Sequence, residues 1–311
     1  MSISNSEQLG HPCKHLYGWS GEDSFRFESK PGLLAPISDL PTFSVVIPTR
    51  NQATTIGDTL LSLIHQEYPH LQIIVMDGAS DDSTLSVLQE FRSHIDVLES
   101  EHDNGQSDAI NKGFRQANGD ILFWLNSDDY LLPGALWNVA QQFQSDPSLD
   151  FLVGSGDVIS IDHHFLRYIP AKPMDENTIR NWRNDEWVLQ QACFWTRRLW
   201  EKHGGVDEQL HLLMDYDLWC RFSRVTQAAM LDQKLSVMRY YPEAKTVRGR
   251  DTNSEEMAYV YAKNGHLDLL RVHIADLIKQ RHKTEHYLQQ INSCIPVRLL
   301  KRIALFPLPN A

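Results

Sequence analysis

The stretch Asp120-Ile-Leu-Phe-Trp-Leu-Asn-Ser-Asp-Asp-Tyr130 decides how the rest of the chain is read. Ile121 to Leu125 is an unbroken apolar run of the length that a buried parallel strand uses. It stops in Asn126, Ser127, Asp128 and Asp129. Adjacent carboxylates at the end of a buried strand repel each other and lose hydration. A positive partner belongs beside them, and a hard divalent cation is the simplest one. Open α/β sheets take ligands at the carboxyl ends of their strands, so location and chemistry agree. The alternative role for Asp128 or Asp129 is to cap a helix starting near Pro133.

Working outward, the same pattern recurs upstream. Phe43-Ser-Val-Val-Ile47 is a β-branched run that Pro48 is expected to stop, and Thr49, Arg50 and Asn51 form a polar turn. Thr54 to Gln66 carries Ile56, Leu60, Leu61, Leu63 and Ile64 as a helical stripe. Leu71 to Met76 is a second buried strand, followed by Asp77-Gly-Ala-Ser-Asp-Asp-Ser-Thr84 and a helix to about Ser93. Ile95 to Leu98 gives a third strand, Gly105 to Ala117 a helix, and Asp120 to Leu125 the fourth strand. This alternation implies right-handed βαβ crossovers and a mostly parallel sheet flanked by helices, an α/β fold. Three polar clusters then fall on one sheet edge: Thr49 to Asn51, Asp77, and Asn126 to Asp129.

The second half is less periodic. Phe151 to Ile161 reads as one or two strands, and residues 170 to 186 as a polar loop suited to a flap. Val188 to Trp195 returns to the core, and a short helix follows from Arg197 to His203. Asp215-Tyr-Asp-Leu-Trp-Cys-Arg-Phe222 begins a helix with an acidic first turn, and Ala228 to Met238 supplies one or two strands. Beyond Thr252 the chain reads as helical to about Gln290. The organisation expected is an arm over residues 1–40, a main domain over 41–250 with halves 41–130 and 131–250, and a helical extension over 251–311.

Composition bounds the function. The chain has 311 residues, 42% of them hydrophobic, enough for one large domain with an appendage. A formal net charge of −11 argues against non-specific binding to nucleic acid. Cys13, Cys193, Cys220 and Cys294 are scattered, which suits a reducing compartment and argues against a structural zinc site. The start of the chain lacks a secretory pattern, and no apolar run reaches membrane-spanning length, so a cytoplasmic protein is expected. His11, Cys13 and His15 read as part of a solvated arm, whose Trp19, Phe25 and Phe27 pack on the main body. Residues 295–308 mix Val297, Leu299, Leu300, Ile303, Leu305 and Phe306 with Arg298, Lys301 and Arg302. They fit either a basic amphipathic segment in peripheral contact with the inner face of a membrane or a strap packed on the domain.

Taken together, five pieces resemble a family 2-type inverting glycosyltransferase with the GT-A fold. They are Ser44-Val-Val-Ile-Pro-Thr-Arg-Asn51, Val75 to Thr84, Ser107-Asp-Ala-Ile-Asn-Lys-Gly113, Trp124-Leu-Asn-Ser-Asp-Asp129, and Gly204-Gly-Val-Asp-Glu208 followed by Asp215-Tyr-Asp-Leu-Trp219. The resemblance covers roughly residues 43 to 250. It implies a nucleotide-diphosphate sugar donor, Mn2+ or Mg2+, a glycan or lipid-linked acceptor, and a place in polysaccharide or cell-envelope glycan synthesis. Pro48, Thr49, Arg50 and Asn51 would line the nucleotide site, with Arg50 near the base or phosphates. Asp77 would accept hydrogen bonds from the base or ribose. Asp108 and Lys112, one helical turn apart, would border the donor with Lys112 on phosphate; the alternative is an exposed ion pair.

Asn126-Ser-Asp128 stands at the family's Asp-x-Asp metal motif. Metal binding would then rest on Asp128, helped by Asp129, because the amide of Asn126 is a weaker ligand than a carboxylate. Tyr241 stands where relatives often carry a histidine near the metal. Inverting transfer also needs a base to take the acceptor's proton. The resemblance assigns this to Asp215, with Asp217 second; the alternative is that both acids stabilise a helix N-terminus. Gln190, Gln191 and Trp195 are expected to face the acceptor, and Trp182 and Trp187 to stack on sugars or simply pack. Two competing readings are a nucleotidyltransferase, which usually shows a glycine-rich phosphate loop that Ile47-Pro-Thr-Arg-Asn51 lacks, and a nucleotide-sugar-binding homologue without turnover.

Overall fold

Strand β1 (Phe43–Thr49) is buried along its whole length, as a β-branched run covered on both faces should be. The computed structural model describes residues 37–182, 187–245 and 250–293. β2 (Leu71–Asp77) pairs with β1 in parallel, β3 (Val97–Ser100) adds outside β2, and β4 (Ile121–Trp124) lies parallel to β1 on its other side. The helices α1 (Ile56–Ile64), α2 (Thr84–Glu90) and α3 (Gln106–Gln116) fall within these crossovers. Strand order therefore reverses between β1 and β4, the switch point at which open α/β sheets leave a crevice.

Pro48, expected to end β1, lies inside it, opposite Met76. The reason is local. Ile121 donates to Thr42 O at 2.9 Å and Leu125 to Val46 O at 2.9 Å, so even-numbered residues of β1 face β4. Pro48 faces the same way, but β4 has already ended at Trp124. The ladder needs no N–H there, and a proline is tolerated. The two strands part at that point.

In the second half come β5 (Tyr130–Leu131), α4 (Ala135–Ser145), β6 (Phe151–Ser160), β7 (Phe165–Ile169), α5 (Glu176–Arg180), β8 (Cys193–Thr196), α6 (Arg197–His203), α7 (Met214–Phe222) and β9 (Ala229–Tyr240). Among the described residues, the nine strands make one sheet in the order β3-β2-β1-β4-β8-β6-β9-β5, with β7 on β6. β8 runs antiparallel between β4 and β6, and β9 runs parallel to β6. Phe151–Ser160 and Ala229–Tyr240 are each one long strand. Within the stretch expected to be a polar loop, Asp175 caps α5 by accepting from the Thr178 N–H at 2.8 Å.

The core at the β4–β8–β6 junction is aromatic. Trp124 of β4 stacks on Trp219 of α7 with centroids 6.1 Å apart, and Phe151 of β6 stacks on the same Trp219 at 5.0 Å. Trp195 of β8 sits 5.5 Å from Trp124 and 5.7 Å from Trp219. It is fully buried, which corrects the expectation that it faces an acceptor: β8 is covered on both faces, and its neighbour Phe194 is fully buried as well. Trp182 packs on Tyr216, and the Arg167 guanidinium lies over the Trp187 ring at 4.5 Å.

The chain divides into two compact units between Thr252 and Asn253. The helix α8 (Arg250–Lys263) is followed by α9 (Leu267–Ser293). Gly265 adopts φ +73° between them, and His266 N donates back to Tyr261 O at 2.8 Å, a left-handed helix ending that favours glycine. Among the described residues, no helix is long and apolar enough to cross a membrane. The arm's His11, Cys13, His15, Trp19, Phe25 and Phe27, and the segment 295–308, lie outside the described residues.

One packing contact tests this arrangement. α3 lies so close to β1 and β2 that a Cβ at Gly113 would overlap Val46 Cγ1 and lie 3.2 Å from Met76 Cγ. Val46 is buried and rigid at χ1, so it cannot swing aside. Gly113→Ala should lower stability, because an overpacking cost of about 1–3 kcal/mol exceeds the helix-propensity gain of up to about 1 kcal/mol. Urea unfolding checks this, the expected sign being opposite to that of an ordinary glycine-to-alanine change in a helix.

Candidate active site

A cleft of about 420 Å³ opens where β1 and β4 part. Pro48, Thr49 and Arg50 from the end of β1 form one side, and Asn126 to Asp129 from the loop after β4 form its centre. Met214 and Asp215 from the start of α7, Met238 and Arg239 from the end of β9, and the segment after β9 complete the wall. Trp124 lies at its base.

The loop from Asn126 to Asp129 is held from three directions. Gln106, at the start of α3, donates Nε2 to Asn126 Oδ1 at 2.8 Å, and Asn126 Nδ2 reaches Asp129 Oδ2 at 3.4 Å. Asp129 Oδ1 accepts the Arg239 backbone N–H at 3.0 Å, while Thr59 of α1 donates to Asp129 O at 2.7 Å. Burial, and next the Asp128 carboxylate, push the Asp129 carboxyl well above the usual range. An aspartate at 126 would add a third carboxyl group to this cluster and remove the amide donor. Asn126 is thus fitted to its neighbours. Asp128 is placed differently: its Oδ2 accepts the Tyr241 hydroxyl at 2.7 Å, and the carboxylate faces the cleft. Burial, and then Asp128, raise the Tyr241 phenol above its ordinary value, so it stays protonated and donates.

Asp215 and Asp217 point apart, as two positions on a helix separated by about 200° must. Asp215 lines the cleft, and its Oδ1 accepts the Tyr216 backbone N–H at 2.7 Å. Asp217 is fully buried and pairs with Arg221 one turn on, at 3.1 Å. The same guanidinium donates to Gly204 O at 3.1 Å and Gly205 O at 2.6 Å. This pair pins the Gly204-Gly205 turn to α7.

Several residues expected at the site lie outside the cleft lining. Asp77 is buried at the end of β2, accepting from Ser80 N at 3.0 Å, from the Ser80 hydroxyl, and from Ser100 Oγ at 2.6 Å. Asn51, at φ +55°, spends its Oδ1 on Asp81 N at 3.0 Å. Together these tie the turn after β1 to the turn after β2. Lys112 pairs with Glu101 at 2.7 Å and with Asp108 at 3.3 Å. Asp108 also accepts Asn104 N at 3.0 Å, and that bond, followed by Lys112, holds its carboxyl below the usual range. Gln191 is buried behind Gln190, whose Nε2 donates to Trp124 O at 2.9 Å at the cleft.

Residues 44–205, a little over half of the chain, match the family model described as Glycosyl transferase family 2. The chain belongs to that family. A PGL/p-HBAD biosynthesis glycosyltransferase of Mycobacterium bovis is 30% identical over 181 residues, 57% of this chain and 68% of that one. Staphylococcus aureus TarS 1-349, solved in complex with UDP-GlcNAc, superposes with a TM-score of 0.59 at 18% identity, over 75% of this chain and 71% of that one. A mannosyltransferase from Pyrobaculum calidifontis, solved with GDP-Man and Mn2+, gives 0.56 at 18% identity, over 88% and 87%. At such identities the likeness carries the fold, which is that of the GT-A glycosyltransferases.

For a family 2 glycosyltransferase the relevant test is whether these side chains fit a divalent cation. Among the described residues, no group of three or more His, Cys, Asp or Glu could hold a metal by itself. Asp129 and Asn126 are engaged with each other and with their neighbours, leaving Asp128 as the carboxylate turned to the cleft. One carboxylate completed by substrate phosphates and water is a common Mg2+ arrangement, so the donor set fits a hard cation shared with a ligand. Several lining residues carried no signal in the sequence: Gln106, His211, Arg239 and Lys245. Arg239 is buried, pairs with Asp58 at 2.9 Å and lies over the Tyr130 ring at 5.2 Å. None of these contacts is local in sequence.

The placement of Asp108 gives a pH prediction. Its folded-state pKa is depressed, so it contributes stability above the unfolded carboxylate value of about 4, and loses it as pH falls through the folded value. Asp108→Asn should flatten the acid limb of stability below about pH 4, measured by urea unfolding across pH. Nucleotide affinity at neutral pH should be unchanged; a loss of affinity would return Asp108 to the binding site.

Proposed function

We propose that the chain moves a sugar from a nucleotide-diphosphate sugar to a hydroxyl of a glycan or lipid-linked acceptor, with inversion at the anomeric carbon, in the building of a polysaccharide or cell-envelope glycan. One observation carries the reading: in a member of this family, Asp128 and Asp215 reach a single cleft at the β1–β4 switch point from different elements. The bound nucleotide sugars of the TarS and mannosyltransferase structures support a donor of that class. Pro48, Thr49, Arg50, Gln190 and Asp215 all line the cleft; in this reading the first three take the nucleotide and the last two the acceptor.

In this reading Asp215 is the general base. The acceptor oxygen attacks the anomeric carbon while Asp215 takes its proton, and the diphosphate leaves from the opposite face with the bonding electron pair. Asp128, together with the donor's phosphate oxygens, would hold Mn2+ or Mg2+. When bound, the cation supplies positive charge to the departing diphosphate. Asp217 keeps the helix and the Gly204-Gly205 turn together and has no part in proton transfer. A nucleotidyltransferase reading gains no observation in its favour.

Two mutants separate chemistry from binding. Asp215→Asn should lower sugar transfer by about 10²–10⁴-fold while leaving donor affinity near wild type, assayed by nucleoside-diphosphate release beside a donor titration. Full turnover in this variant, or equal loss of binding and turnover, would remove Asp215 from the role of base. Asp128→Ala should abolish the dependence of nucleotide affinity on Mn2+ without lowering the melting temperature. Unchanged Mn2+-dependent affinity would take Asp128 out of the metal site.

A further inference from the structure

The transferase reading requires positive charge beside the donor's diphosphate, and the residue expected to supply it is elsewhere. Lys112 is committed to Glu101 and Asp108 and is not part of the cleft lining. The cleft is itself acidic, with Asp103, Asp128, Asp215 and Glu243 in its lining. A polyanionic donor therefore enters against repulsion unless a cation reaches it. Two arginines also line the cleft: Arg239 is drawn to Asp58, and Arg50, just after β1, belongs to the nucleotide side in the transferase reading.

The lysine of the lining, Lys245, arrives from the segment after β9. Tyr241 anchors this segment by its bond to Asp128, and Ala244 N donates to Tyr241 O at 3.0 Å, closing a tight turn. Ala244 is buried, whereas Lys245 next to it is exposed. The turn throws Lys245 back across the cleft, where its Nζ donates to Gln106 Oε1 at 2.9 Å. That same Gln106 donates to Asn126, so the ammonium lies one side chain away from the metal motif. A long flexible stem ending in a point charge suits a phosphate group.

From this geometry we infer that Lys245 is the cation that binds the donor's diphosphate, carried into place by the turn that Tyr241 fastens to Asp128. This inference rests on the transferase reading and extends it by naming the residue that meets the leaving group. Neutralising Lys245 should weaken diphosphate binding and leave the nucleoside's own contacts intact.

The test is isothermal titration calorimetry of the full chain with UDP, GDP, ADP and dTDP in Mg2+, and with the matching nucleosides. Whichever diphosphate binds wild type should bind Lys245→Met about 10–100-fold more weakly, the scale of one hydrogen bond to a charged group. Lys245→Arg should recover most of the loss, Lys112→Met should bind as wild type, and nucleoside affinity should not change. High salt should narrow the gap between wild type and Lys245→Met. Equal diphosphate affinity in wild type and Lys245→Met overturns the assignment while the transferase reading stands. An equal loss of nucleoside and diphosphate affinity also overturns it, marking Lys245 as structural. If wild type binds none of the diphosphates, the transferase reading falls and the assignment with it.

Discussion

The stacking of Trp124 on Trp219 is the contact on which the site depends. Their rings lie 6.1 Å apart and within 5° of parallel. Trp124 is the last residue of β4, two positions before Asn126, and Trp219 is one helical turn beyond Asp215. One apolar contact thus sets the distance between the loop that carries Asp128 and the helix that carries Asp215. Phe151 and Trp195 pack against the same rings and leave them little freedom to slide. Aromatic burial on this scale is among the larger single contributions that a core makes. Here it also spaces two carboxylates that would otherwise repel.

The second constraint is how negative charge is handled near those carboxylates. Asp129 is enclosed, and its carboxyl oxygens meet the Arg239 backbone N–H and the Asn126 amide. Asp217 is enclosed and meets its charge through Arg221. Asp77 is satisfied by the Ser80 backbone and two serine hydroxyls. Each acid so satisfied becomes a brace between elements. Asp128 and Asp215 face the cleft, with Asp103 and Glu243 also in its lining, and this division between bracing and cleft-facing acids is what gives the pocket its chemistry.

The two lysines make the same point for positive charge. Lys112 belongs to a sequence motif and lies on a helix, yet its i,i+4 neighbour Asp108 and the strand residue Glu101 hold it outside. Lys245 belongs to no motif, and a four-residue turn brings it to the cleft. Position in a motif and position in space are set by different interactions.

The sequence by itself determined the α/β alternation, the succession of the first four strands along the chain and the edge on which polar residues gather. Apolar runs of strand length and helical stripes are local patterns, and local sterics with burial are enough to decide them. It also singled out Asp128 and Asp215, because each closes or opens an element whose apolar part is unmistakable: Ile121 to Leu125 in one case, Leu218 to Phe222 in the other. Only the tertiary structure decided which of two neighbouring acids faces the cleft. Asp128 and Asp129 differ by one residue and are separated by whether the end of β9, 110 residues away, offers a backbone N–H. Pro48 reads as a strand terminator until β4 is seen to stop before reaching it. Trp195 reads as a sugar platform until β8 is placed between β4 and β6. In each case the deciding partner is distant along the chain, and no local pattern encodes which pair will meet.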